Sequence, residues 1–71
     1  MKLQEKVGKR IMQLRKTKKL SQQDLASEAN IERSHLTVIE SGKKNISLST
    51  LERILEALAT KPKEFFDDNF N

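Results

Sequence analysis

Apolar residues recur at helical spacing in the first quarter of the chain. The apolar positions are Leu3, Val7, Ile11 and Leu14. Since they are three or four residues apart and charged residues fall mostly between them, they share one face of a helix. The pattern predicts an amphipathic helix over about residues 2–17, in which Gly8 costs up to about 1 kcal/mol of helix stability.

A second, shorter helix begins after a capping signal. Ser21 and Asp24 have the spacing of a capping box, in which each side chain binds the backbone amide of the other residue. We expect this helix to cover about residues 22–29. Asn30 would end it, because asparagine tolerates the left-handed backbone of a closing turn better than most residues.

A third helix is expected over about residues 33–41, with Leu36 and Ile39 as its inward pair. Gly42 would end it, as glycine commonly does, whereas Glu32 is a poor residue for the N-cap. The second and third helices, with a short turn between them, have the dimensions of a helix-turn-helix. Generic helical hairpins share these dimensions, so the spacing alone does not distinguish the two.

A fourth helix is predicted to follow Ser47, which can cap it, and to end near Ala59. Large aliphatic residues lie on one side of this helix. They are Leu48, Leu51, Ile54, Leu55 and Leu58.

Pro62 fits the first turn of a short fifth helix that contains Phe65 and Phe66, and residues 67–71 would form a tail. No segment has the alternating pattern of a strand. We therefore expect residues 1–71 to form a single all-α domain of five helices.

The composition limits the chemistry that the chain can support. The chain has 71 residues with 35% hydrophobic residues, which is enough for one thin core. It contains no cysteine and one histidine, so disulfides and thiolate zinc sites are excluded, and we expect no metal and no cofactor. No apolar run approaches the length of a membrane span, and the prediction is a soluble cytoplasmic protein without a membrane partner.

The charge is unevenly distributed. The net charge is +4, and residues 1–20 carry eight basic side chains and one acidic side chain. Residues 21–42 carry one basic and four acidic side chains, and Lys43 and Lys44 follow. Nucleic acid is the commonest partner of such a layout. A solvated lysine-rich helix face is the alternative that charge alone leaves open.

The sequence segments around the predicted turn distinguish a helix-turn-helix from a generic helical hairpin. They read LSQQDLA at 20–26, IERSHL at 31–36 and IESGKKN at 39–45. Together they resemble the lambda-repressor-like helix-turn-helix family, the phage repressor and Cro group also called XRE, over about residues 5–66. The stretch KNISLSTL at 44–51 and the Phe65-Phe66 ending look most like the controller proteins of restriction–modification systems.

The resemblance implies that the third helix lies in the major groove of double-stranded DNA. Arg33 and Ser34 are on its first turn, and Thr37 is one turn further along the same face. Arg33 can donate two parallel bonds to guanine, unless it is a solvated arginine that pairs with Glu32 or Asp24. Ser34 and Thr37 can bond a base or a phosphate, and Thr37 also offers a methyl group.

Two further residues of this helix are expected at the DNA edge. Val38 lies where some relatives read bases, and here it offers only apolar contact. His35 lies where controller proteins often carry an aromatic residue. No nucleophile or carboxylate stands in a recognisable catalytic relationship to His35, so we expect no enzymatic activity.

Phosphate contacts are expected on both sides of the third helix. Gln22 begins the second helix, where free backbone amides favour an anion, and the resemblance implies that it holds the DNA backbone. Ser21 can cap the helix and contact phosphate as well. Lys43, Lys44 and Asn45 follow the reading helix and would meet the next phosphates.

Arg15 and Glu40 both lie among apolar positions. Burial of one such charge without a partner would be costly. The resemblance implies a partly buried arginine–glutamate pair that joins the first and third helices, and we assign the pair to these residues. Two exposed charges are the alternative.

DNA recognition by one helix per chain also predicts a homodimer. One reading helix covers only a few base pairs, whereas two copies read a palindrome with half-sites about 34 Å apart. The fourth helix and the aromatic residues near the C-terminus are the candidates for the interface. Phe65 fits the core of the monomer better, so Phe66 and Phe70 are the predicted interface residues.

The leading hypothesis is a sequence-specific regulator that binds a palindromic operator and controls its own operon. RNA polymerase is a candidate partner, since the position of the operator relative to it decides between activation and repression. Two alternatives stay open: a phage-type repressor, and an antitoxin that acts mainly through a toxin. The tail at 67–71 is short for the toxin-binding segment that an antitoxin usually adds.

Overall fold

The structure, a computed structural model, describes residues 2–68 and 70, and it contains helices and connecting turns but no strand within that part of the chain. The elements are α1 (Leu3–Thr17), α2 (Gln22–Ala29), α3 (Arg33–Ser41), α4 (Leu48–Ala57) and α5 (Pro62–Phe65). The prediction of an all-α domain with five helices is confirmed. Residues 69 and 71 of the predicted tail lie outside the described residues.

Three of the helices end in the same way, with a non-glycine residue in the left-handed region. Lys19, Asn30 and Ala59 have φ of 59°, 58° and 52° after α1, α2 and α4 respectively. In each case the next amide donates to a carbonyl five residues back, as when Thr60 N donates to Leu55 O at 3.0 Å. This is the Schellman arrangement, and it satisfies carbonyl groups that the helix end leaves unpaired.

Some helix boundaries differ by one or two residues from the approximate ones expected from the sequence. The fourth helix was expected to end near Ala59, but α4 ends at Ala57, because the backbone turns left-handed at Ala59. Phe66 was placed inside the fifth helix, but it is the C-cap of α5 and is not helical. The first helix begins at Leu3, one residue later than expected.

The core lies where α1 and α3 pack together and α2 packs on both α3 and α4. Seven large side chains are fully buried at its centre. They are Ile11, Leu25, Leu36, Ile39, Ile54, Leu58 and Phe65. None of the described helices is long and apolar enough to cross a bilayer.

Gly8 allows α1 and α3 to approach closely. A Cβ atom at Gly8 would overlap Ile39 O and would lie 3.0 Å from Glu40 O, and both are backbone atoms of α3. At the same contact, Gln4 Nε2 donates to Gly42 O at 2.9 Å. The glycine that weakens α1 in isolation is therefore required by its packing against α3.

Arg10 joins α1 to the end of α5. Its Nε donates to Phe65 O at 3.1 Å, and its Nη2 donates to Glu64 O at 3.0 Å. Asp67 Oδ1 accepts from the same Nη2 at 3.2 Å. Arg10 thus binds carbonyl groups that the end of α5 leaves unpaired.

The replacement Gly8→Ala should destabilise the protein, although alanine is the better helix former by up to about 1 kcal/mol. The added methyl group meets backbone of α3, which cannot move without shifting the whole helix. We expect a net loss of about 1–3 kcal/mol in the free energy of unfolding, as for other overpacked cores. Urea denaturation measures it, and Lys9→Ala at the next, exposed position is the control. A gain in stability for Gly8→Ala would contradict the close approach.

Candidate nucleic-acid interface

The second helix begins with the predicted capping box. Ser21 Oγ accepts from Asp24 N at 2.9 Å, and Ser21 N donates to Asp24 Oδ2 at 3.1 Å. The bond from the Ser21 amide to the carboxylate, and after it the Ser21 side chain, lower the pKa of Asp24 below its ordinary value. A carboxyl group with a lowered pKa stabilises the fold above its ordinary pKa of 3.8 and loses that contribution as the pH falls below it.

The third helix has one face in the core and one face outside. Leu36, Ile39 and Glu40 are buried. Five predicted contact residues lie on the remaining surface. Arg33, Ser34, His35 and Thr37 are exposed, and Val38 is half-buried. The arrangement leaves the first turn and the middle of α3 accessible to a groove.

The Arg33 side chain is available for an external partner. It is exposed, and within residues 2–68 and 70 no ion pair or hydrogen bond engages its guanidinium group. The alternative pairing of Arg33 with Glu32 or Asp24 is therefore absent from the structure.

A shallow cleft joins the outer face of α3 to the loop that follows it. The residues that line the cleft are Glu32, Ser34, His35, Val38 and Lys44. The loop begins at Gly42, whose φ of 76° ends α3 and turns the chain. Lys43, Lys44 and Asn45 are all exposed there. Lys44, a predicted phosphate contact, thus lies beside the predicted base contacts Ser34, His35 and Val38.

Arg15 and Glu40 form a two-pronged ion pair between α1 and α3. Arg15 Nε donates to Glu40 Oε2 at 2.8 Å, and Nη2 donates to Oε1 at 3.1 Å. Nη1 donates to Leu20 O at 2.9 Å. The side chains are 11% and 1% exposed respectively, so each charge is held by its partner and by further hydrogen bonds rather than by water.

The ion pair extends to the surface through two residues of the helix-turn-helix. Gln22 Nε2 donates to Glu40 Oε1 at 3.1 Å, and Thr37 Oγ1 donates to Gln22 Oε1 at 3.1 Å. Sequence reasoning missed this connection, which joins residues that are far apart in the chain. The available signal was Glu40, because a buried carboxylate has about four acceptor sites and a bidentate arginine fills only two of them.

An apolar surface lies on the side of α4 and α5. The exposed large hydrophobic residues of the described chain are Leu3 at 65%, Leu48 at 84% and Phe66 at 46%. Two adjoining grooves share Leu48, Leu51 and Phe66, and Leu3 lines one of them. Leu3 and Leu48 lie on the predicted apolar faces of their helices, but both are in the first turn, at the rim of the core, and stay exposed.

The three aromatic rings form one cluster at this surface. Phe65 is buried, and its ring centroid lies 4.8 Å from that of Phe66 in an edge-to-face arrangement. The half-buried Phe70 lies 4.8 Å from Phe66 and packs behind it, and it lines neither groove. Phe66 is therefore the ring that faces outward.

A short α2, a tight turn and an accessible, polar outer face on α3 define a helix-turn-helix DNA-binding protein. A family model described as Helix-turn-helix matches residues 11–65. The chain belongs to the helix-turn-helix family.

Three comparisons indicate the kind of regulator that the chain resembles. It is 38% identical over 61 residues to Control protein C.BamHI of Bacillus amyloliquefaciens, covering 84% of this chain and 75% of that protein. It is 52% identical over 52 residues to the Immunity repressor protein of Bacillus phage phi105, covering 73% of this chain and 36% of the repressor. The restriction–modification controller protein C.Esp1396I, solved as a tetramer with its natural 35 base-pair operator, shares 32% identity at a TM-score of 0.88, with 93% and 87% of the two chains covered.

The replacement Glu40→Ala should destabilise the fold strongly. It leaves the Arg15 guanidinium buried without its carboxylate, and the loss of one partner of a buried pair costs about 3–5 kcal/mol. Glu28→Ala removes an exposed acid from α2 and should change the free energy of unfolding by less than about 0.5 kcal/mol. Equal denaturation midpoints for the two variants would show that the pair does not hold α1 to α3.

Proposed function

We propose that the protein is a sequence-specific transcriptional regulator that binds a palindromic operator as a homodimer and controls its own operon. The observation that carries the proposal is the exposed outer face of α3, where Arg33 has no partner within the described residues. The major groove is about 12 Å wide and admits one helix with its N-terminal side chains at the base edges. Similarity to the controller proteins supports the same reading.

The two kinds of DNA contact fall on different residues in this proposal. Arg33, Ser34 and Thr37 read base edges, with His35 and Val38 at the margin of the site. The phosphate contacts come from residues at the start of α2 and after α3. They are Ser21, Gln22, Lys43, Lys44 and Asn45.

The hydrogen bonds of Gln22 leave one of its donors available to bind a phosphate. Its Nε2 carries two protons, of which one is donated to Glu40. The second proton can be donated to a phosphate oxygen without breaking the connection to α3. Gln22 then fixes the position of α3 relative to the DNA backbone, as backbone contacts generally do.

A second copy of the chain is the proposed occupant of the apolar surface. Leu48 and Phe66 would otherwise expose large apolar side chains to water, and each protomer of a symmetric dimer covers the same patch on the other. A palindromic operator needs two reading helices related by such an axis. Phe66 makes the contact in this proposal, and Phe70 supports it from behind.

A phage-type repressor is the second candidate, because the chain shares 52% identity with the immunity repressor of phage phi105. An antitoxin is the third. The neighbouring genes distinguish the three candidates. Genes for an endonuclease and a methyltransferase indicate the first, phage genes the second and a toxin gene the third. In all three the protein acts in the cytoplasm without enzymatic activity. For the two operator-binding candidates, the position of the operator relative to RNA polymerase sets the sign of regulation.

The base and phosphate roles predict two different defects. Arg33→Ala should relax the preference at one base position in each half-site, where a bidentate arginine contributes about 1–3 kcal/mol of discrimination. Lys43→Ala should weaken binding to every sequence about equally and lower the salt dependence by about one unit per site. Selection of bound duplexes from random DNA, followed by titration at several salt concentrations, measures both. Uniform binding of all sequences by the unaltered protein would refute the proposed function.

The dimer surface can be tested at its most exposed residue. Leu48→Asp should raise the dimer dissociation constant by at least about tenfold, since a buried leucine contributes about 1.5–3 kcal/mol. The fold of the monomer should be unaffected, because Leu48 makes little core contact. Ser49→Asp adds the same charge at a neighbouring exposed position outside both grooves and should leave the dimer intact. Sedimentation equilibrium measures the constants, and unchanged dimerisation of the Leu48 variant would place the interface elsewhere.

A further inference from the structure

Hydrogen bonds connect Arg15 to Thr37 through Glu40 and Gln22. The chemistry of the Arg15–Glu40 pair decides which group donates and which accepts in the remaining bonds. A guanidinium group can only donate, and a carboxylate can only accept. Glu40 is held by Arg15, so the group that Gln22 directs at Glu40 Oε1 must be its amide nitrogen. The amide oxygen of Gln22 therefore faces the other way, towards Thr37, and must accept.

The single hydroxyl proton of Thr37 is consequently committed inside the protein. Oγ1 lies 3.1 Å from Gln22 Oε1 and 3.0 Å from the Arg33 carbonyl oxygen, and both of these partners are acceptors. Whichever of the two receives the proton, none is left for an external partner. The Thr37 side chain is nevertheless exposed on the reading face of α3. It presents lone pairs and a methyl group, but no donor.

This constraint decides what Thr37 can recognise. Phosphate oxygens are acceptors, as are N7 and O6 of guanine and O4 of thymine, so none of them can bond a hydroxyl that offers only lone pairs. In the major groove the donors are the exocyclic amino groups, N6 of adenine and N4 of cytosine. We propose that Thr37 is a specificity-determining residue that accepts a hydrogen bond from the amino group of an adenine or a cytosine and makes no phosphate contact.

The proposal narrows the role given to Thr37 above and rests on the proposed function, since it requires α3 to lie in the major groove. It also gives α2 and α3 different hydrogen-bonding roles towards DNA. Gln22 keeps an outward donor, which suits a phosphate acceptor, whereas Thr37 keeps an outward acceptor, which suits a base donor. The same hydrogen-bond chain sets both properties.

Thr37→Val and Thr37→Ser provide the matched test. Valine keeps the shape and a methyl group but removes the acceptor, and serine keeps the hydroxyl but removes the methyl group. We expect the valine variant to lose an adenine or cytosine preference at one position in each half-site, by up to about tenfold for one neutral hydrogen bond. The serine variant should keep that preference. Selection from random duplexes identifies the position for each variant.

A duplex that lacks the amino group completes the experiment. If the position is adenine, purine replaces it, and if it is cytosine, 2-pyrimidinone replaces it. The unaltered protein should bind the modified operator more weakly by up to about tenfold, whereas Thr37→Val should bind both operators equally. Thermal unfolding of each variant verifies that the domain is folded.

Three outcomes would overturn the inference. Thr37→Val could keep every base preference, it could weaken all sequences alike as a phosphate contact would, or the unaltered protein could prefer guanine or thymine where Thr37 reads. Each of these leaves a sequence-specific regulator in place. Failure of the proposed function is distinct, because the unaltered protein would then select no sequence at all.

Discussion

The ion pair between Arg15 and Glu40 is the interaction on which the rest of the structure depends. It joins α1 to α3 in the interior, where neither charge could remain without the other. A hydrophobic pair of similar size could hold the two helices as firmly. What a hydrophobic pair could not do is orient Gln22, whose amide is fixed because Glu40 accepts only one end of it. The buried charge thus determines which hydrogen-bonding groups reach the surface.

Close packing between α1 and α3 also holds α3 in place. Gly8 lets the backbone of α1 rest against the carbonyl groups of Ile39 and Glu40, and Gln4 binds the carbonyl of Gly42 at the helix end. A nine-residue helix on its own would be only marginally stable in water. Held by α1 at Ile39, Glu40 and Gly42 and packed against α2, α3 is preformed. Less conformational freedom is then lost on binding DNA.

The helices and the turn between α2 and α3 were predictable because their signals are local. The spacing of Val7 and Ile11, the capping box at Ser21 and the glycine at the end of α3 each act over a few residues. Gln22 and Thr37 could be placed on the correct helices, but their hydrogen bond joins positions that only the tertiary fold brings together.

The apolar pattern of α4 shows a different limit. Periodicity identifies the face on which leucines lie, but it does not distinguish a core from a surface that another chain can cover. Leu51 is buried, whereas Leu48, three residues earlier on the same face, is almost wholly exposed. The left-handed residues Lys19 and Ala59 were missed as well, because neither residue type favours that backbone.

The structure also changes the meaning of the charge distribution. Residues 21–42 carry four acidic side chains against one basic side chain, which suggests a segment that repels DNA. Glu40 is buried and neutralised by Arg15. Asp24 keeps its charge at the positive end of α2, and Glu28 and Glu32 are exposed charges as well. The electrostatic field at the outer face of α3 is therefore less negative than the segment total implies. Less negative charge then opposes the attraction of DNA by Arg33, Lys43 and Lys44.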